Sequence, residues 1–123
     1  MQIKESAENY LESILMLRAK NGSVRSIDVA HHMEFTKASV SVAMKNFRQE
    51  GYITVNADGE IFLTEKGREI AQRVYERHQV ITEALIALGV TPETASQDSC
   101  KIEHDISEET FLCIKAFLKK SQT

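Results

Sequence analysis

The sequence predicts a mainly α-helical protein: an N-terminal winged helix-turn-helix with a two-stranded wing over residues 1–70, then an all-helical region over residues 71–123. Three observations predict it. Up to Gly51, apolar residues recur at three- and four-residue steps in three separate runs, each bounded by a capping or stopping residue. The period then changes to two short runs of β-branched and aromatic residues around a turn-forming tetrapeptide. Behind them the helical period resumes and carries on to the C-terminal end.

The first helix spans residues 5–20, with Ala7, Leu11, Ile14, Leu15 and Leu17 on its apolar side and Asn21-Gly22 ending it. Ser26 is the expected cap of a short second helix whose apolar residues are Ile27, Val29, Ala30 and Met33. After a turn at Glu34-Phe35, Thr36 caps a third helix with Val40, Ala43, Met44 and Phe47 in one stripe, and Gly51 stops it. Tyr52–Val55 and Glu60–Leu63 flank Asn56-Ala57-Asp58-Gly59 and predict a β-hairpin. Thr64 caps a long fourth helix, to about Leu88, with the stripe Ala71, Val74, His78, Ile81, Leu85 and Leu88. Gly89 ends it, and Thr91-Pro92 opens a fifth helix as cap and first-turn proline. Ser107 caps a sixth, with Phe111, Leu112, Ile114, Phe117 and Leu118 apolar.

Bulk properties narrow the function. The 123 residues suffice for one core or two small lobes, and a hydrophobic fraction of 42% is ordinary for a globular chain. Met1–Glu5 carries no apolar segment behind a basic one, and no run is long enough to cross a bilayer, so no membrane association is expected. Two cysteines at unrelated spacing imply free thiols in a reducing compartment, hence a cytoplasmic protein. The net charge of −3 argues against nonspecific coating of nucleic acid. It leaves room for a specific reader, because bases gather between Thr36 and Arg77 while acids dominate after His78.

The order helix, short helix, turn, helix, hairpin places the Thr36 helix where such domains insert a helix into the DNA major groove. Its stripe is consumed by the core, leaving Lys37, Ala38, Ser39, Ser41, Val42 and Lys45 on the other side. Small hydroxyl residues at the tip, with Thr36 and Ser26 nearby, allow close approach to phosphates and base edges. Val42 or Ala38 suits a thymine methyl. An ordinary surface helix has the same amphipathic pattern. The complete series of elements, including Leu63-Thr64-Glu65-Lys66-Gly67 behind the hairpin, favours double-stranded DNA.

A second constellation lies in the C-terminal half. Cys100, Glu103 and His104 stand at relative steps of zero, three and four, which on a helix share one face. Thiolate, carboxylate and imidazole together suit a divalent transition metal. His78 adds an imidazole within an apolar stripe, and Asn9 with Glu12 lies one turn apart on the first helix. Spacing alone equally allows a hydrogen-bonded core histidine, a small apolar cysteine and a solvated glutamate.

The sequence resembles the diphtheria toxin repressor and manganese transport regulator family of metal-activated repressors. The resemblance runs over nearly the whole chain. It is carried by Ala7-Glu8-Asn9-Tyr10-Leu11-Glu12, the winged region, Val74-Tyr75-Glu76-Arg77-His78, and above all Asp98-Ser99-Cys100-Lys101-Ile102-Glu103-His104. It implies Glu12, His78, Cys100, Glu103 and His104 as metal ligands, with Asn9 at a further ligand position where it departs from both branches. Cys100 matches the iron branch and Glu12 the manganese branch, so the implied ion is Fe2+ or Mn2+, with Zn2+, Co2+ or Ni2+ as surrogates. Thr82 and Ser96 stand where the iron branch has a carboxylate and a second histidine for an ancillary site. A C-terminal SH3-like domain of longer members is not expected in this chain.

The resemblance implies a homodimeric, metal-dependent repressor of metal-homeostasis genes on a two-fold symmetric operator. Asn9 favours the alternative of a metal-independent winged-helix regulator with a degenerate site. A winged domain that binds only proteins is a further alternative. An enzyme is not expected, because no separate nucleophile, base or phosphate loop accompanies the clustered ligands.

Overall fold

A computed structural model describes residues 5–121; residues 1–4, part of the N-terminal segment discussed above, lie outside them. The elements run α1 (Glu5–Asn21), α2 (Ser26–Met33), α3 (Lys37–Gln49), β1 (Ile53–Val55), β2 (Ile61–Leu63), α4 (Glu65–Ala87), α5 (Pro92–Ile102) and α6 (Glu108–Ser121). This is the mainly α, winged helix-turn-helix order predicted from the sequence. The chain forms two compact units, Met1–Gln72 and Arg73–Thr123.

In the first unit, Leu11, Ile14, Val24, Val29, Val40 and Ile61 are fully enclosed. Tyr10 links α1 to α3 by an edge contact with Phe47 at 5.6 Å, and Phe47 meets Tyr52 at 6.4 Å. Such pairs add to plain area burial through ring quadrupoles. β1 and β2 pair antiparallel, Thr54 opposite Phe62. The wing is fastened from outside its own ladder. Ile61 N–H donates to Val24 O at 2.7 Å, and Arg18 Nη2 donates to Ile61 O at 2.6 Å while its guanidinium stacks on Phe62. Arg25 Nε donates to Asp58 O in the wing turn.

The caps are mostly those expected. Thr36 Oγ1 accepts from Ser39 N–H, Thr91 Oγ1 from Thr94 N–H, and Ser107 Oγ from Thr110 N–H. Gly51 ends α3 at φ +82°, with Tyr52 N–H returning to Phe47 O, a closure that needs the left-handed backbone glycine supplies. Three expectations are corrected. Ser26 is the first residue of α2 rather than its cap: Arg25 holds the cap position, and Asp28 Oδ2 accepts the Arg25 N–H. The strands begin one residue late, because Tyr52 closes α3 and Glu60 N–H is taken by Asn56 Oδ1. Leu88 leaves the α4 stripe and is 77% exposed, because the helix has already unwound into Gly89.

In the second unit Val74, Ile81, Ala95, Phe111 and Leu118 are buried, while Leu112 and Phe117 of the predicted α6 stripe are exposed. Among the described residues no helix is long and apolar enough to cross a membrane, and both cysteines are free thiols.

The start of α4 is bolted to Tyr52, the residue between α3 and the wing. Thr64 N–H donates to Tyr52 O, and Thr64 Oγ1 accepts the Gly67 N–H. Gly67 lies so close that a Cβ there would stand 2.1 Å from Tyr52 O, a backbone atom with nowhere to retreat. Gly67→Ala should therefore lower unfolding stability by about 2–3 kcal/mol, the overpacking range. Chemical denaturation checks this; an unchanged midpoint would show that the α4 entrance relaxes freely.

Candidate metal centre and reading helix

The second unit's polar centre forms where α4 faces the end of α5. His78 enters from α4, in the expected apolar stripe, with its side chain 17% exposed. Cys100 sits in the last turn of α5 and reaches the surface. Glu103 is the C-cap residue of α5, still helical in backbone with its N–H donating to Ser99 O, so it continues the face that carries Cys100, and His104 follows just past the helix end. Glu103 is almost fully buried, 2% exposed.

Glu103 is the hub. Its Oε2 lies 2.9 Å from His78 Nδ1, and its Oε1 lies 3.3 Å from His104 Nε2. Cys100 Sγ approaches the same His78 nitrogen at 3.8 Å. Burial raises the Glu103 pKa. Hydrogen bonds from His104 and His78, together with their charge, outweigh it and hold the carboxyl below its ordinary value. The carboxylate is thus kept ionised inside the protein, the form a cation requires.

One ligand atom each from His78, Cys100 and Glu103 lies within 4.8 Å of the others. Donors around one ion at about 2.0–2.3 Å stand up to roughly 4.6 Å apart, so these three residues fit a single transition-metal ion with slight contraction. His104 joins them through the other oxygen of Glu103. Glu12, on α1 in the first unit, is buried at 7% exposure, and Asn9 is half-buried.

Sequence reasoning missed Arg77. Its Nη1 donates to the carbonyls of Glu103 and Ile106, each at 3.1 Å, and its Nη2 to Glu108 Oε2 at 2.7 Å. The guanidinium also lies over Phe111. It therefore clamps the turn that carries Glu103 and His104. Its partners are 26 to 31 positions away, so periodicity held no trace of them.

In the first unit, Lys37, Ala38, Ser39, Ser41, Val42 and Lys45 all lie on the exposed side of α3, Val42 at 62%. Thr36 Oγ1 donates to Ser39 Oγ besides capping the helix, so these two hydroxyls largely satisfy each other. Lys45, Arg48 and Gln49 line one shallow groove further along α3, which adds Arg48 to the basic side. Ser26 is half-buried at the start of α2.

Residues 2–60 match the model of the iron-dependent repressor N-terminal DNA-binding domain, and residues 64–123 that of the iron-dependent repressor metal-binding and dimerisation domain. The chain belongs to the iron-dependent repressor family. It is 33% identical over 117 residues to the transcriptional regulator MntR of Escherichia coli O157:H7, covering 95% of this chain and 76% of that one. A helix-turn-helix regulator of Methanocaldococcus jannaschii is 32% identical over 120 residues, covering 96% of each. Among solved structures, the manganese regulator SloR superposes with a TM-score of 0.80 at 23% identity, and the metal-dependent regulator MtsR with 0.84 at 24%. The chain covers 97% and 92% of its own length in these matches but only 55% and 53% of those proteins.

This repressor is thus a DNA-binding, metal-dependent transcriptional regulator and not an enzyme. Its DNA-binding domain comes first, and its second domain binds a divalent metal and forms the homodimer. The Glu103 hub falls inside that second domain.

Because Arg77 satisfies two part-buried carbonyls, Arg77→Ala should lower stability by about 1–3 kcal/mol, most of it from the stranded carbonyls. The exposed end of the Glu108 pair adds little. Arg77→Lys should recover only part of the loss, because one ammonium cannot span three acceptors. Urea unfolding of both variants checks the order; equal midpoints for Ala and Lys would contradict it.

Proposed function

We propose that this chain is a cytoplasmic repressor of metal-homeostasis genes, activated by Fe2+ or Mn2+, that binds a two-fold symmetric operator as a homodimer. Residues 1–70 act as the reading domain and residues 71–123 as the sensing and pairing domain. The carrying observation is the buried Glu103 carboxyl with His78, Cys100 and His104 gathered round it. Glu12, buried as a charged residue of α1, and Asn9 one turn earlier are the further ligand positions that the family motif implies.

A divalent cation supplies positive charge that offsets these carboxylates. Glu103 presents a fixed anionic oxygen, Cys100 a thiol that must shed its proton, and His78 an imidazole nitrogen. Metal occupancy and the DNA-competent state are linked equilibria, so whichever state binds the ion better gains population. On DNA, Lys37, Lys45 and Arg48 meet phosphates, while Ala38, Ser39, Ser41 and Val42 approach base edges, with Thr36 and Ser26 at the rim.

Cys100 sets the choice of ion, because thiolate tolerates the softer metal and carboxylate the harder one. Wild-type protein should respond better to anaerobic Fe2+ than to Mn2+, and Cys100→Glu should shift the preference toward Mn2+. The readout is fluorescence anisotropy on a duplex selected from a random pool by the metal-loaded protein, with a chelator control. Metal-independent binding of that duplex would overturn the sensing role. Identical responses of wild type and Cys100→Glu to both ions would remove Cys100 from the ligand set.

A further inference from the structure

The two ring nitrogens of His78 face different chemistry. Nδ1 faces Glu103 Oε2 at 2.9 Å and Cys100 Sγ at 3.8 Å. Nε2, on the far side of the ring, lies 3.4 Å from Ser96 Oγ. Ser96 stands one turn before Cys100 on α5 and is half-buried. Around it the other polar groups are already engaged: Thr82 Oγ1 donates to Ser99 Oγ at 2.8 Å, and Ser99 Oγ donates to Ala95 O at 2.7 Å.

A neutral imidazole carries one proton. With no cation, Nδ1–H is the stronger donor position, because it faces a carboxylate, and Nε2 then accepts from the Ser96 hydroxyl. A cation among Glu103, Cys100 and His78 needs the lone pair on Nδ1, since that is the nitrogen facing the other two donors. The proton must then sit on Nε2, in a half-buried place where it needs an acceptor. A serine hydroxyl serves both states, donating in one and accepting in the other. A methyl group serves neither.

We propose that Ser96 is a positioning residue of the metal centre: its hydroxyl accepts the His78 Nε2–H and so holds the ring with Nδ1 toward the ion. This rests on the reading of His78, Cys100 and Glu103 as ligands. Outer partners of ligating histidines typically set metal affinity by about ten- to a hundredfold, which puts the effect within easy reach of titration.

The test uses full-length protein and Zn2+, with affinity measured by competition against a chromophoric chelator. Ser96→Ala keeps a good helix former at the position, so the fold is retained. Its Zn2+ affinity should fall about tenfold, and Ser96→Thr should restore it. The second readout is the proton–nitrogen signal of His78 in the Zn2+-loaded protein. Wild type and Ser96→Thr should show a slowly exchanging Nε2–H, and Ser96→Ala one that exchanges rapidly with water. Wild-type affinity and an equally protected Nε2–H in Ser96→Ala would overturn the role of Ser96 while leaving the metal centre intact. A loaded ring protonated on Nδ1 would overturn the assignment of the ligating nitrogen. A wild-type protein that binds no Zn2+ would overturn both the inference and the ligand reading beneath it.

Discussion

The second unit is organised around one buried carboxylate. Taking Glu103 out of water as an anion carries a desolvation penalty of several kcal/mol, and nothing apolar in the unit offsets it. His78 and His104 do, one at each carboxylate oxygen. Each imidazole must therefore hold its place, and the turn past α5 must present Glu103 inward. Arg77 secures that turn by gripping the backbone at Glu103 and Ile106. The same arrangement that makes the carboxylate tolerable leaves it ionised and faced by nitrogen and sulfur, which is what a cation site requires.

That arrangement also explains why removing the ion need not unfold the centre. The histidines stand in as counter-groups, so the donors are gathered before any metal arrives. A cation bound among them would meet donors already in place, which would keep the ordering penalty small. The reading unit is built on different forces: an aromatic chain from Phe35 through Tyr10 and Phe47 to Tyr52, and a wing pinned by Arg18 and Arg25. Lys37, Lys45 and Arg48 of its third helix are exposed.

How much of this was legible in the sequence followed the range of the interaction responsible. Caps at Thr36, Thr64, Thr91 and Ser107 act within three residues and were read correctly. Ser26 failed because Asp28, reaching back to Arg25, competed for the same role one residue earlier. The spacing of Cys100, Glu103 and His104 announces a cluster: Glu103, the C-cap residue with helical backbone, continues the Cys100 face, while His104 falls just past the helix end. Arg77 left no trace in the spacing, since its partners sit 26 to 31 positions away and arginine is no metal ligand. Leu88 and Phe117 continued a helical stripe that burial did not follow.

The central claim is that Glu103 charge, rather than Glu103 shape, makes the site. Glu103→Gln keeps the shape and removes the charge. Calorimetric unfolding of wild type and variant, each with chelator and with Mn2+ at a hundredfold excess over the wild-type Kd, separates the two. The account predicts a wild-type stabilisation of about 2.7 kcal/mol by the ion, as mass action requires at that excess, and none in Glu103→Gln. An equal rise in both proteins would contradict it.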